Sequence, residues 1–281
     1  MRPVFLPGNL EELWRVLERE PAPRPYCGGT DLLVHLRSGK TDPAALVCLE
    51  RIPELSGVRE EEGGLWIGAA TTHARLLDDP LVRARLPLLA RALSTLGSPP
   101  VRNMGTIGGN VCTASPAGDT LPPLYALDGE VELRSRDSSR RMPLRRFITG
   151  PGETALRPDE ILACVRVKPD GAYNVHHFEK IGIRRAMACS IASLAALLRV
   201  SPSGEVEAVR LAWGSVGPTV VASGEAEQAL LGKRLSQDAL EEAAARARKA
   251  VSPIDDARAS AAYRREVSGN LLLRLMEYRP L

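Results

Sequence analysis

Residues 101–119 read VRNMGTIGGNVCTASPAGD, and residues 25–32 read PYCGGTDL. Each segment holds a Gly-Gly pair: Gly28–Gly29, which follows Tyr26 and Cys27, and Gly108–Gly109, which follows Thr106 and Ile107. Adjacent glycines admit left-handed backbone and close approach, so that successive N–H groups can converge on an anion. The polar flanks Thr30, Asp31, Thr106, Asn110 and Ser115 can add hydrogen bonds, and Asp119 can accept from a ribose or another polyol. Either pair alone reads better as a plain tight turn. Two such turns from separate parts of the chain can grip a diphosphate from both sides, which points to a phosphorylated, dinucleotide-type ligand.

Around these segments the chain looks like an ordinary globular protein. At about 150 residues per domain, 281 residues make roughly two domains. Lys and Arg number 37 against 34 Asp and Glu, a balance of +3 with no basic stripe, so a nucleic-acid partner is not expected. With 44% hydrophobic and 25% charged residues, disorder, collagen and coiled coil are excluded. The five cysteines (Cys27, Cys48, Cys112, Cys164, Cys189) are scattered and form no C-x-x-C pair. That pattern argues for free thiols, for a reducing compartment and against a metal or iron–sulfur cluster held by this chain. No apolar run has the length of a signal peptide core or a membrane span, so a cytoplasmic protein is expected.

Periodicity places the motifs on elements. Leu10, Leu13, Trp14 and Leu17 predict a helix over 10–20, with Asn9 as N-cap and the proline-rich 21–25 as its stop. Strands are expected at 65–69 and 130–134, a helix near 81–96, and a Gly-, Ser- and Pro-rich loop over 97–123. A β-rich stretch near 190–221 leads to a helix over 236–251, striped by Leu240, Ala243, Ala247 and Val251. A second helix is expected over 259–277, with Tyr263, Val267, Leu271 and Leu275 every four residues. The turn-forming KPDGAY (168–173) marks the cut between an N-terminal unit, 1–170 with parts at about 1–58 and 59–170, and a C-terminal unit, 171–281.

Several other motifs fail. SGKT at 38–41 would need a glycine where Val34 stands to be a phosphate-binding P-loop, and Ser215 in WGSVG has Trp213 where a nucleophile elbow needs glycine. No G-x-G-x-x-G follows a strand. His176 and His177 read as a solvated pair at a strand start, and His35 and His73 as structural.

Six segments, in order, resemble the flavin-binding subunit of the molybdenum hydroxylases. They are GGTDLL (28–33), IGAATTHARL (67–76), residues 99–119, GPGETAL with PDEIL (150–162), FEKIGIRRAM (178–187) and DDARASAAYRR (255–265). That family includes xanthine dehydrogenase and the medium subunit of aerobic carbon monoxide dehydrogenase. The resemblance implies an α+β fold of the vanillyl-alcohol oxidase and p-cresol methylhydroxylase type, followed by a smaller C-terminal domain of sheet and helices. It also implies noncovalent FAD. Tyr26, Cys27, Gly28, Gly29, Thr30, Asp31, Leu32 and Leu33 would form the first diphosphate turn, and Thr106, Ile107, Gly108, Gly109 and Asn110 the second. Ser115 belongs to the following polar loop, Asp119 matches the acid that holds the ribityl or ribose hydroxyls, Leu162 a backbone contact near the adenine, and Lys180 a lysine near the flavin ring. Many relatives carry an acid at or near Ala188–Cys189, where this chain has none. Electrons would come from [2Fe–2S] clusters on a small partner chain, fed by molybdopterin on a large one, in a dimer of heterotrimers, and would pass to NAD, oxygen or a quinone. A self-contained flavoenzyme and a scaffold with a lapsed flavin site are the other readings. Intact Gly28–Gly29, Gly108–Gly109 and Asp119 argue against the second of these.

Overall fold

The computed structural model describes residues 2–169 and 171–278. Asp170, inside the predicted cut, and residues 279–281 lie outside them. The first layer is a three-stranded parallel sheet of β1 (Val4–Phe5), β2 (Arg24–Tyr26) and β3 (Leu46–Cys48), ordered β1-β3-β2, with α1 (Leu10–Arg19) and α2 (Leu32–Arg37) in its crossovers. Helix α1 begins where the sequence predicts. The Asn9 side chain accepts from the Glu12 amide (2.9 Å), and Glu12 reaches back to the Gly8 amide (2.7 Å), a reciprocal cap that satisfies two amides left free by the first turn.

The second sheet is antiparallel, ordered β4-β5-β10-β6-β7. It comprises β4 (Val58–Glu61), β5 (Gly64–Gly68), β6 (Glu130–Arg134), β7 (Ser139–Pro143) and β10 (Ile161–Val167). Between β5 and β6 run α3 (His73–Asp78), α4 (Pro80–Arg85), α5 (Pro87–Thr95), α6 (Pro99–Met104), α7 (Ile107–Thr113) and α8 (Leu121–Ala126). The single helix expected near 81–96 is two, because Pro87 has no N–H to continue α4 and instead starts α5. The loop expected over 97–123 contains three short helices. Pro99, Pro100, Pro122 and Pro123 sit in first turns where a missing N–H costs nothing, only Pro116 staying in a loop, and Thr106 caps α7 through the Gly109 amide. After β7 come α9 (Leu144–Phe147) and a hairpin of β8 (Ile148–Gly150) and β9 (Glu153–Thr154).

The C-terminal sheet is β11 (Val175–Ile181), β12 (Ala192–Val200), β13 (Val206–Gly214) and β14 (Val221–Ala222), antiparallel in chain order. Its alternation is buried on both faces. Ala195, Leu197 and Ala212 enter the core of the second sheet, whereas Leu194, Ala196 and Leu198 pack with α11 (Gln237–Ala250) and α12 (Ala261–Leu273), the short α10 (Gly224–Gln228) preceding them. The stripe Leu240, Ala243, Ala247 and Val251 is buried as its spacing predicts, but Tyr263 is exposed and α12 ends at Leu273, passing into a 3₁₀ turn. Helix α8 comes so close to β13 that a side chain at Gly214 would meet Pro122 Cγ at 2.8 Å and Ser193 Oγ at 2.6 Å.

Arg264 locks the C-terminal layer. Its buried guanidinium donates to the carbonyls of Ile191 (2.6 Å) and Ser215 (3.0 Å) and to Asp256 (2.7 Å). Arg264→Met would strand two buried carbonyls and the carboxylate, so unfolding in urea should show a loss of about 3–5 kcal/mol. Asp256 is held down to about 2, chiefly by the Arg258 amide and then by Arg264, against an ordinary 3.8. A folded value below the unfolded one gives stability that is complete above the unfolded value and is lost as pH falls through the folded one. The gap in thermal midpoint between wild type and Asp256→Asn should therefore be constant at pH 5–7 and shrink towards pH 2.

Candidate functional site

The two glycine-rich segments meet. A Cβ on Gly28 would lie 1.6 Å from the Met104 carbonyl oxygen and 3.0 Å from the Gly105 amide, so only glycine lets the first turn press against the end of α6. Gly29 takes φ +68°, the left-handed region that favours glycine, and turns the chain into α2. Gly108 is equally confined, its Cβ position lying 2.5 Å from Ala69 Cβ and 2.7 Å from the Ala69 carbonyl oxygen. Gly109 differs. It is exposed and helical, and a side chain there would meet only Thr106 Oγ1, at 3.0 Å.

The amides of the two turns are not equivalent. Those of Ile107, Gly108 and Gly109 are used internally, by Thr71 O (3.1 Å), Ala69 O (2.9 Å) and Thr106 Oγ1 (3.1 Å). Those of Gly29 and Thr30 meet no protein acceptor among the described residues. Anion-binding capacity therefore sits on the first turn, and the second builds the opposite wall. Asp31 ties the two together: its Oδ2 accepts from the Thr113 hydroxyl (3.1 Å) and its Oδ1 faces His35 Nε2 (3.7 Å). Leu32 and Leu33 open α2, and Leu33 is half exposed.

Beside the turns lies a cavity of about 210 Å³, lined by Tyr26, Cys27, Thr106, Gly108, Gly109 and Leu162. Its remaining wall includes residues that sequence reasoning did not single out: Arg24, Leu55, Ala69, Cys112, Gly152, Thr154, Leu156, Glu160 and Ile161. The available signal was the segment 150–162, in which only Leu162 was assigned. The wall is close to electrically neutral. Burial pushes Tyr26, Cys27 and Cys112 each up to about 12, so their hydroxyl and thiols stay protonated at neutral pH. Glu160 is held as a carboxylate below its ordinary range by hydrogen bonds from Arg140, whose Nε and Nη2 reach its two oxygens at 2.7 and 2.8 Å.

Beyond α7 the chain turns through Ser115–Asp119. Asn110 Oδ1 accepts from the Thr120 hydroxyl (2.5 Å), and Ser115 Oγ accepts from the Ala117 amide (3.3 Å). The C-terminal sheet holds this loop at two points. The Ser215 amide, at a residue with φ +65°, donates to the Pro116 carbonyl (2.8 Å), and Lys180 Nζ donates to Asp119 Oδ2 (2.5 Å). Ser215, rejected above as a nucleophile, thus serves the site through its backbone. Asp119 is almost wholly buried, its Oδ1 has no hydrogen-bond partner among the described residues, and burial raises its pKa against the lowering effect of Lys180.

Of the histidines, His35 stands beside Asp31. His73 is buried under the second turn and pushed down to about 4 by burial, so it is neutral. His177 does not belong to a solvated pair: it is 6% exposed and packs edge-on against Tyr278 at 5.7 Å.

Residues 1–169 match the FAD binding domain of molybdopterin dehydrogenases, and residues 176–278 the C-terminal domain of carbon monoxide dehydrogenase flavoproteins. The chain is 32% identical over 259 residues to the glyceraldehyde dehydrogenase medium chain of Sulfolobus acidocaldarius, covering 92% of this chain and 91% of that one. It is 33% identical over 260 residues to the xanthine dehydrogenase FAD-binding subunit of Escherichia coli O157:H7, covering 92% and 88%. A chain in the structure of Hydrogenophaga pseudoflava carbon monoxide dehydrogenase lacking the Mo-pyranopterin moiety superposes with a TM-score of 0.92 at 31% identity, covering 98% of this chain and 96% of that one. With both domain models matched in order along an α+β chain, the protein belongs to the FAD-binding medium subunits of the molybdopterin dehydrogenases.

Proposed function

We propose that this chain is the electron-transfer subunit of a molybdenum hydroxylase, holding noncovalent FAD between [2Fe–2S] clusters on a small partner chain and an external acceptor: NAD, oxygen or a quinone. Substrate hydroxylation would take place on a large molybdopterin chain, in a cytoplasmic dimer of heterotrimers. The observation that carries the reading is the contact of Gly28 with Met104, which joins a turn with free amides to a neutral cavity in one cradle.

The residues fit the cofactor part by part. Amides of the Tyr26–Leu33 turn would receive the diphosphate, with Thr106 to Asn110 as the facing wall. The neutral cavity would take the adenine, with Leu162 beside it. The free, buried Oδ1 of Asp119 would accept from a ribityl or ribose hydroxyl, Ser115 lying in the same loop. Lys180, on β11, would face the flavin ring, where a cation favours the anionic reduced form. FAD itself would supply the redox chemistry; the protein contributes binding, orientation and the local field. A C-terminal unit beginning near residue 171 would then provide, through Lys180 and Ser215, the far wall of the site.

Purified protein should be yellow, and acid precipitation should release free FAD into the supernatant; flavin retained by the polypeptide would contradict noncovalent binding. Gly28→Ala forces backbone apart at the cradle, at a cost of about 1–3 kcal/mol or more, and should leave the protein colourless. Gly109→Ala, which displaces only a hydroxyl, should keep most of the flavin. In reconstitution, the chain alone should not oxidise purines, aldehydes, carbon monoxide or aromatic substrates, whereas addition of the two partner chains should give turnover. Comparable rates without partners would favour a self-contained flavoenzyme.

A further inference from the structure

The pair formed by Lys180 and Asp119 does more than the ligand contact requires. We propose that Asp119 divides its oxygens, Oδ1 serving the bound nucleotide and Oδ2 holding Lys180 in place as a compensated ammonium, so that the acid is a positioning residue for the lysine. This rests on the FAD reading above.

The geometry has three parts. Lys180 lies on β11 opposite Ser193, on the sheet face turned towards α8, and its Nζ is fixed by Asp119 Oδ2 at 2.5 Å and by the Ala188 carbonyl at 3.3 Å. Both side chains are nearly buried, 11% and 8% exposed, where an ammonium without a counter-ion is costly. The loop carrying Asp119 is itself anchored, by Thr120 to Asn110 on one side and by Pro116 to Ser215 on the other. Asn110 follows Gly109 of the cavity wall and accepts from Thr120, the neighbour of Asp119, so the Lys180–Asp119 pair adjoins the cavity through consecutive residues. A lone lysine there would act on the ligand with a full positive charge. Beside the carboxylate its field is partly cancelled, and its direction is set by the acid.

The test is a double-mutant cycle on the whole chain, freed of flavin and titrated with FAD, reading both the dissociation constant and the midpoint potential of the bound flavin. Asp119→Asn and Lys180→Met should each weaken FAD by at least about tenfold, each leaving one charge buried and unpaired. The double variant should lose clearly less than the product of the two. The potential should rise in Asp119→Asn, fall in Lys180→Met and return towards wild type in the double variant, and Asp119→Glu should restore part of both properties. Should the single variants fold poorly, the double variant must melt at a higher temperature than either; a double no more stable than the singles would overturn the proposal. Multiplicative losses of affinity with unmoved potentials would also overturn it, leaving Asp119 a ligand contact only. Wild-type protein that takes up no FAD would instead bring down the reading beneath it.

Discussion

The site depends on one close approach, the backbone of Gly28 against the carbonyl of Met104. Nothing larger than hydrogen fits between them, and the contact brings a turn from the three-stranded sheet onto the helix-rich segment inserted between β5 and β6. Its consequence is chemical as well as steric. The second turn, pressed onto Ala69 through Gly108, spends its amides on the protein, while the amides of Gly29 and Thr30 in the first meet no protein acceptor among the described residues. Two motifs that look equivalent in sequence thereby take different tasks.

The rest of the architecture braces that contact. Residues 115–119 have little regular structure of their own, and they are fixed by the C-terminal sheet through Ser215 and Lys180. The sheet is in turn clamped to its helices by Arg264, which binds the Ser215 carbonyl while the Ser215 amide binds Pro116. A chain of polar contacts thus runs from Asp256 through Arg264 and Ser215 to the loop that carries Asp119. Each link is a backbone carbonyl, an amide or a paired charge. The C-terminal layer therefore holds in place the loop that carries Asp119.

Much of this was legible in the sequence where the signal is local. The Asn9 cap, the stripe of α11, the strand at β6 and the Gly28–Gly29 turn follow from neighbours within a few residues, whereas Glu132 is buried against the expected alternation and Gly108–Gly109 lies inside helix α7 and not in a turn. Prolines were harder to interpret: the helix expected near 81–96 runs through Pro87, which in fact starts a new helix, and Pro99 and Pro122, within the expected loop, sit in helix first turns. The segment 150–162 was visible in the sequence, but the place of Gly152 to Ile161 in the cavity wall was not, because it depends on β10 pairing between β5 and β6, a matter of tertiary register. Lys180 and Asp119 were each singled out, but no spacing rule joins residues 61 apart. His177 misled for the same reason: its burial comes from Tyr278 at the other end of the domain.

The account says that an anionic cofactor sits on the amides of the first turn. Hydrogen–deuterium exchange of the protein, measured by mass spectrometry after removal and again after restoration of FAD, tests this directly. Slowed exchange in peptides covering residues 27–33 on adding FAD, with 115–119 following, is the predicted result. Unchanged exchange at 27–33, with protection confined to α11 and α12, would contradict it.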